Sequence, residues 1–154
     1  MGQRGKYATI GARIGIGSRG QLVKRQGASY IDLSRPCVDA TIALAAPVST
    51  ARQILITLRD DEGDPINYVE TVECVMFLNA ARTAFAVTGG STGIAIGSGG
   101  NGALLAALAK KIFYLTSEAT GLIDLVWTDN ASEVAFIGLR LPNGRMVMSA
   151  ALTI

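Results

Sequence analysis

Over residues 111–154 apolar and polar side chains alternate in short runs separated by turn residues, and this alternation constrains the fold more than any other feature of the chain. A period of two puts successive side chains on opposite faces, which suits strands with one buried and one wet face. The run FIGLRLPNGRMVMS at 136–149 reads as a hairpin, because Asn143 and Gly144 supply the two positive-φ residues of a type I′ turn. After the turn, Val147, Ser149, Ala151 and Thr153 interleave with Met146, Met148, Ala150, Leu152 and Ile154, which predicts a strand running on towards residue 154.

The same period recurs upstream. Ile54, Ile56 and Leu58 alternate with Gln53, Leu55 and Thr57. Val72, Cys74, Met76 and Leu78 alternate with Thr71, Glu73, Val75 and Phe77. Residues 112–116 and 122–128 read as two more strands, the second with Ile123, Leu125 and Trp127 inward. Residues 103–109 are ambiguous, since Leu104, Leu105 and Leu108 fit a helical turn as well as a strand. Acidic and glycine-rich turns at 60–65, 117–121 and 129–132 punctuate the series. About seven short strands with turns between them and almost no helix predict an all-β domain, an Ig-like antiparallel β-sandwich, with a barrel open as the other closure. Trp127 is its expected core aromatic.

Fourteen of the 18 glycines fall at 2–27 and 89–102. Glycine raises the cost of ordering a segment, so residues 1–27 read as an extended, Gly-rich arm that orders against a partner. The second cluster reads as a long excursion. Residues 30–44 are strand-like but are broken by Arg35 and Pro36. The expected division is therefore 1–46, arm and edge segment, and 47–154, sandwich. Charge divides the same way. Residues 1–46 carry seven basic and two acidic groups, net +5, whereas 47–154 carry seven basic and ten acidic groups, net −3. Opposite signs on two parts of one chain favour docking of one copy's arm on another copy or on an acidic partner.

With no histidine, the chain lacks the commonest general base and metal ligand, and every Ser-His or Cys-His nucleophile. Cys37 and Cys74 form no CxxC pair, so no zinc site is expected. A disulfide between them is open; two buried free thiols fit a reducing cytoplasm better. Residues 83–109 carry no charge, but seven glycines among them make the stretch too polar for a membrane span. The GxGxxG match at 15–20 lacks room for the following helix that a dinucleotide site needs. Asp60, Asp61, Glu62 and Asp64 lack calcium-loop spacing and read as a solvated turn. Glu70, Glu73 and Asp124 offer no evident acid/base pair. No catalytic residue, metal ligand or cofactor is therefore expected. Arg4, Lys6, Arg13, Arg19, Lys24 and Arg25 precede the first acidic residue, Asp32, and with little aromatic interleaving they suit a protein surface better than nucleic acid.

Three stretches together carry a resemblance. ILITLRDDEGDP at 54–65 resembles the strand and D-x-x-G-x-P turn that open bacterial Ig-like domains. TSEATG at 116–121 with IDLVWT at 123–128 resembles their T-D-A-x-G turn and strand, with the acidic residue displaced to Glu118. LPNGRMVMS at 141–149 resembles the ending of small virion structural proteins of tailed bacteriophages. The likeness covers residues 52–154; the basic arm is not part of it. It implies a non-enzymatic Ig-like module of the virion, assembled in the host cytoplasm, foremost a capsid decoration (cement) protein. Its implied partners are the phage major capsid protein and neighbouring copies of itself in a homo-oligomer such as a trimer, with no nucleic acid or membrane. The six arm cations are then the partner-binding residues. A tail, neck or fibre component, or a host-surface or carbohydrate-binding module, is the alternative.

Overall fold

The computed structural model describes residues 35–87 and 93–154 in full and, within residues 1–34, the backbone of four short strands. The chain divides into two units, Met1–Pro36 and Cys37–Ile154. In the first, β1 (Thr9–Ile10), β2 (Ile14–Ile16), β3 (Leu22–Gln26) and β4 (Ser29–Asp32) pair in chain order as an antiparallel meander. The expected extended arm and glycine-rich contact segment otherwise lie outside the described residues.

In the second unit the strands are β5 (Asp39–Leu44), β6 (Ala51–Arg59), β7 (Thr71–Phe77), β8 (Gly93–Ile96), β9 (Ala103–Leu108), β10 (Ile112–Thr116), β11 (Leu122–Thr128), β12 (Phe136–Arg140) and β13 (Met146–Met148). They form two antiparallel sheets, ordered β5-β6-β11-β8 and β13-β12-β7-β10-β9, with no helix among the described residues. One hydrophobic core draws on both sheets, the arrangement of a β-sandwich. The four-stranded sheet contributes Ile54, Ile56, Leu58, Ile123, Leu125 and Trp127; the five-stranded sheet contributes Val72, Cys74, Met76, Phe113, Leu115, Ile137 and Leu139. Ile54, Ile56 and Leu58, Val72, Cys74 and Met76, and Ile123, Leu125 and Trp127 each share one face as the period of two places them, but Leu78, set with the second group, is exposed and Val75 of the opposite face is buried; Trp127 is fully buried.

Several elements differ from the sequence reading. Residues 39–44, placed there with the arm side, pair with β6 from Asp39↔Arg59 to Leu44↔Ile54, and the division between units falls after Pro36. Residues 89–102 are not one excursion, because β8 pairs with β11 through Ile96↔Leu125 and Ile94↔Trp127. Residues 103–108 are a strand, fixed by pairing with β10. The hairpin turn at 141–144 is not type I′: Gly144 has φ +82°, but Asn143 is not in the positive-φ region. Pro142 has no N–H with which to close a two-residue loop. Instead the Gly144 N–H donates to the Leu141 carbonyl (2.9 Å) and the Leu141 N–H to the Arg145 carbonyl (2.9 Å). This is the three-residue loop ending in a left-handed glycine. The same pair of bonds closes residues 60–64 around Gly63 and 118–122 around Gly121. The last strand also stops early. The Ser149 Oγ accepts the Ile137 N–H (2.9 Å) and donates to the Ala150 carbonyl (2.7 Å), displacing the ladder until Leu152 pairs again with Ala135.

Candidate interaction surface

Outward side chains of the five-stranded sheet form rows across its strands. Register sets Met148, Gly138, Val75, Ile112 and Leu108 in one row, and Met146, Arg140, Glu73, Tyr114 and Leu105 in the next. Phe136 and Phe77 pair beside them. Phe77 stacks on Phe85 with ring centroids 6.4 Å apart and planes 8° from parallel. Phe85, Tyr114, Leu105 and Leu108 are all exposed. The two charges within these rows, Glu73 and Arg140, lie 3.8 Å apart, the arginine mostly in solvent and the glutamate half-buried, and a partly exposed pair of this kind contributes little. The result is a broad apolar surface of the kind that marks a binding face.

Gly138 makes this surface smooth. A Cβ there would meet the Phe77 ring at 2.6 Å and the sulfurs of Met146 and Met148 at 2.9 and 3.1 Å. The missing side chain lets an aromatic ring and two thioethers close over β12. Sequence reasoning passed over this glycine, although a lone glycine inside a strand pattern signals such an approach.

The outer face of the four-stranded sheet is organised by a buried acid. Asp124 points outward from β11, yet it is only 1% exposed because residues 97–101 fold over it. Its carboxylate accepts from Gln53 Nε2 (3.0 Å) and from the Gly99 N–H (2.8 Å). A Cβ on Gly97 or Gly99 would lie 2.4 or 2.5 Å from that carboxylate, so the second glycine cluster exists partly to admit Asp124. Beside it is a cleft of about 300 Å³. Its walls are Ala45, Ala46, Val48, Ala51, Gly97 and Val126, with Gln53 and Ser98 the polar side chains, a lining that offers no proton-transfer group.

The remaining candidate groups sit apart. Glu73 and Asp124 lie on the outer faces of different sheets. Asp60, expected in solvent, is 4% exposed and accepts the N–H groups of Glu62 and Asp64, both at 3.0 Å, which makes it the organiser of its turn. Cys37 and Cys74 are free and buried. Burial, aided by the charge of Glu70, pushes the Cys37 thiol up to about 11; burial, with Glu73, pushes Cys74 up to about 12. Neither is a nucleophile near neutral pH. Residues 22–26 are a strand, so the GxGxxG match is not followed by the helix that its function needs. Of the expected partner-binding cations, Arg4, Lys6, Arg13 and Arg19 lie outside the described residues, while Lys24 and Arg25 are on β3, opposite Ile31 and Tyr30.

Compared with protein-family models, curated proteins and solved structures, the chain matches none.

Proposed function

We propose that this protein is a non-enzymatic structural component of a tailed-phage particle, an Ig-like module that decorates the capsid by adhesion. The exposed apolar face of the five-stranded sheet carries the reading, since a broad face without an enclosed catalytic group suits attachment to another protein surface. Strand order supports the Ig-like part. The order β5-β6-β11-β8 corresponds to strands A-B-E-D of a constant-type Ig domain, and β13-β12-β7 to G-F-C, with the β9–β10 hairpin added beside C. The sequence likeness of residues 141–149 to virion structural proteins supports the location.

Attachment then has two parts. Arg4, Lys6, Arg13, Arg19, Lys24 and Arg25 steer the basic N-terminal segment to an acidic capsid surface, a salt-sensitive step. The apolar sheet face supplies contacts that persist at high salt. Quantitative mass spectrometry of purified particles tests the reading. A cement protein is present at a copy number comparable to the capsid subunits, a tail or fibre component at a few copies, and absence from particles sinks the proposal. Deleting residues 2–27 should abolish attachment. Phe85→Glu should weaken it at high salt while lowering the melting temperature only slightly, through the lost stacking on Phe77.

A further inference from the structure

Each sheet ends in two edge strands, and unpaired edges template further pairing unless they are short, charged or covered. Among the described residues, β5 carries Asp39, ion-paired to Arg145 at 3.1 Å, and the adjoining Val38 carbonyl accepts from Asn143 Nδ2 at 3.1 Å. β13 is three residues long and β8 four. β9 is different: its six residues are Ala103, Leu104, Leu105, Ala106, Ala107 and Leu108, without a charge or a proline. All but Leu104 are exposed, and Leu105 is 67% accessible. Among the described residues nothing charged or proline-bearing guards this apolar edge, and its one irregularity is the register shift that leaves Ala107 unpaired between Leu108↔Ile112 and Ala106↔Phe113.

We infer that β9 pairs antiparallel with β9 of a second copy, joining two five-stranded sheets into one continuous sheet across a two-fold axis. The strand's ends specify this occupant. Lys110 and Lys111 follow its C-terminal end, while Glu118 sits at its N-terminal end, accepting the Gly102 N–H at Oε1 (3.2 Å). Antiparallel pairing of β9 with itself brings the lysine end of each copy to the glutamate end of the other, so both ends of the junction are charge-complementary. Parallel pairing sets like charges together. A two-fold through Leu105 is compatible with the faces that register assigns: Leu105 shares the outer face with Tyr114, and Leu104 and Ala106 share the inner face with Leu115 and Phe113. Leu105 then packs against its counterpart and Leu104 against Ala106 of the other copy. The contact is isologous and closes at two copies.

The test uses the intact chain and no capsid, so it stands or fails separately from the virion reading. Sedimentation equilibrium should give a dimer. Leu105→Lys, which sets two ammonium groups against each other on the axis, should give a monomer with the same β-type circular dichroism spectrum and a melting temperature that, unlike the wild type's, does not change with protein concentration. Val48→Lys, at an equally exposed position away from β9, should remain dimeric. Directly opposed residues have Cβ atoms roughly 4.5–5.5 Å apart, at the limit of disulfide reach but well within that of a short bis-maleimide, so Leu105→Cys should cross-link to a covalent dimer with that reagent while the buried native thiols stay free. That variant keeps the test decisive if the lysine variant does not fold. A wild-type monomer at every concentration, a trimer, a dimer that survives Leu105→Lys, or a Leu105→Cys protein that does not cross-link would each overturn the assignment.

Discussion

Gly63, Gly121 and Gly144 close three loops with the same pair of backbone hydrogen bonds and have φ of +85°, +74° and +82°, so they form an internally controlled experiment. Alanine at any of them must adopt a left-handed conformation, at about 1–2 kcal/mol. At Gly63 and Gly144 nothing lies within 4 Å of the new Cβ, and that conformational term is the whole folded-state cost. At Gly121 the Cβ would sit 2.9 Å from the Leu58 carbonyl oxygen, 2.9 Å from Ile66 Cγ1 and 3.2 Å from the Ile66 carbonyl oxygen. These backbone atoms cannot yield freely: the Leu58 carbonyl accepts the Ile66 N–H at 3.0 Å, and the Leu58 N–H donates to Gly121 itself at 2.9 Å. Overpacking of this kind adds about 1–3 kcal/mol. Gly121→Ala should therefore cost about 2–5 kcal/mol. The unfolded chain loses similar entropy in all three variants, so that contribution cancels in the comparison. Urea unfolding followed by the fluorescence of buried Trp127 should place the Gly121→Ala midpoint below the other two by on the order of 1 M, given slopes of about 1–3 kcal/mol/M. If Gly121→Ala unfolds with Gly63→Ala and Gly144→Ala, the close approach of residue 121 to β6 is wrong.

Three further outcomes are expected. Asp124→Ala strands Gln53 Nε2 and the Gly99 N–H, so stability should fall by about 2–4 kcal/mol and amide exchange should accelerate at residues 97–101; unchanged exchange would mean that the acid does not hold this loop. Because the folded-state pKa values of Cys37 and Cys74 are raised, their contribution is complete below the ordinary thiol range and is lost as pH climbs from about 9 towards 11–12. Urea midpoints should decline across that window, less steeply in a Cys37→Ala/Cys74→Ala variant, and a pH-independent midpoint refutes the burial of the thiols. Finally, residues 37–154 expressed alone should melt cooperatively with a β-type circular dichroism spectrum, whereas 47–154 should not, because the shorter piece lacks β5 and the core residues Cys37 and Ala40. A cooperative melt of 47–154 would show β5 to be dispensable.

Strand existence and inward faces were legible from the sequence because the period of two is local. Ile54, Ile56 and Leu58, like Ile123, Leu125 and Trp127, need no partner to announce which side is buried. The all-β class follows from that pattern alone. What depends on distant residues was not legible. Residues 103–108 carry no preference between helix and strand, and β10 decides for them. Asp124 looks like any outward strand acid until residues 97–101 fold over it, and the adjacent glycines read as looseness until that carboxylate fills their space. Gly138 becomes part of an apolar face only through the neighbouring strands that bring Phe77, Met146 and Met148 above it. Of the cations read as the contact arm, Arg4, Lys6, Arg13 and Arg19 lie outside the described residues. Periodicity is written residue by residue along the chain. Register, edge exposure and loop closure belong to pairs of segments far apart in sequence, so they come into existence only when the sheets assemble.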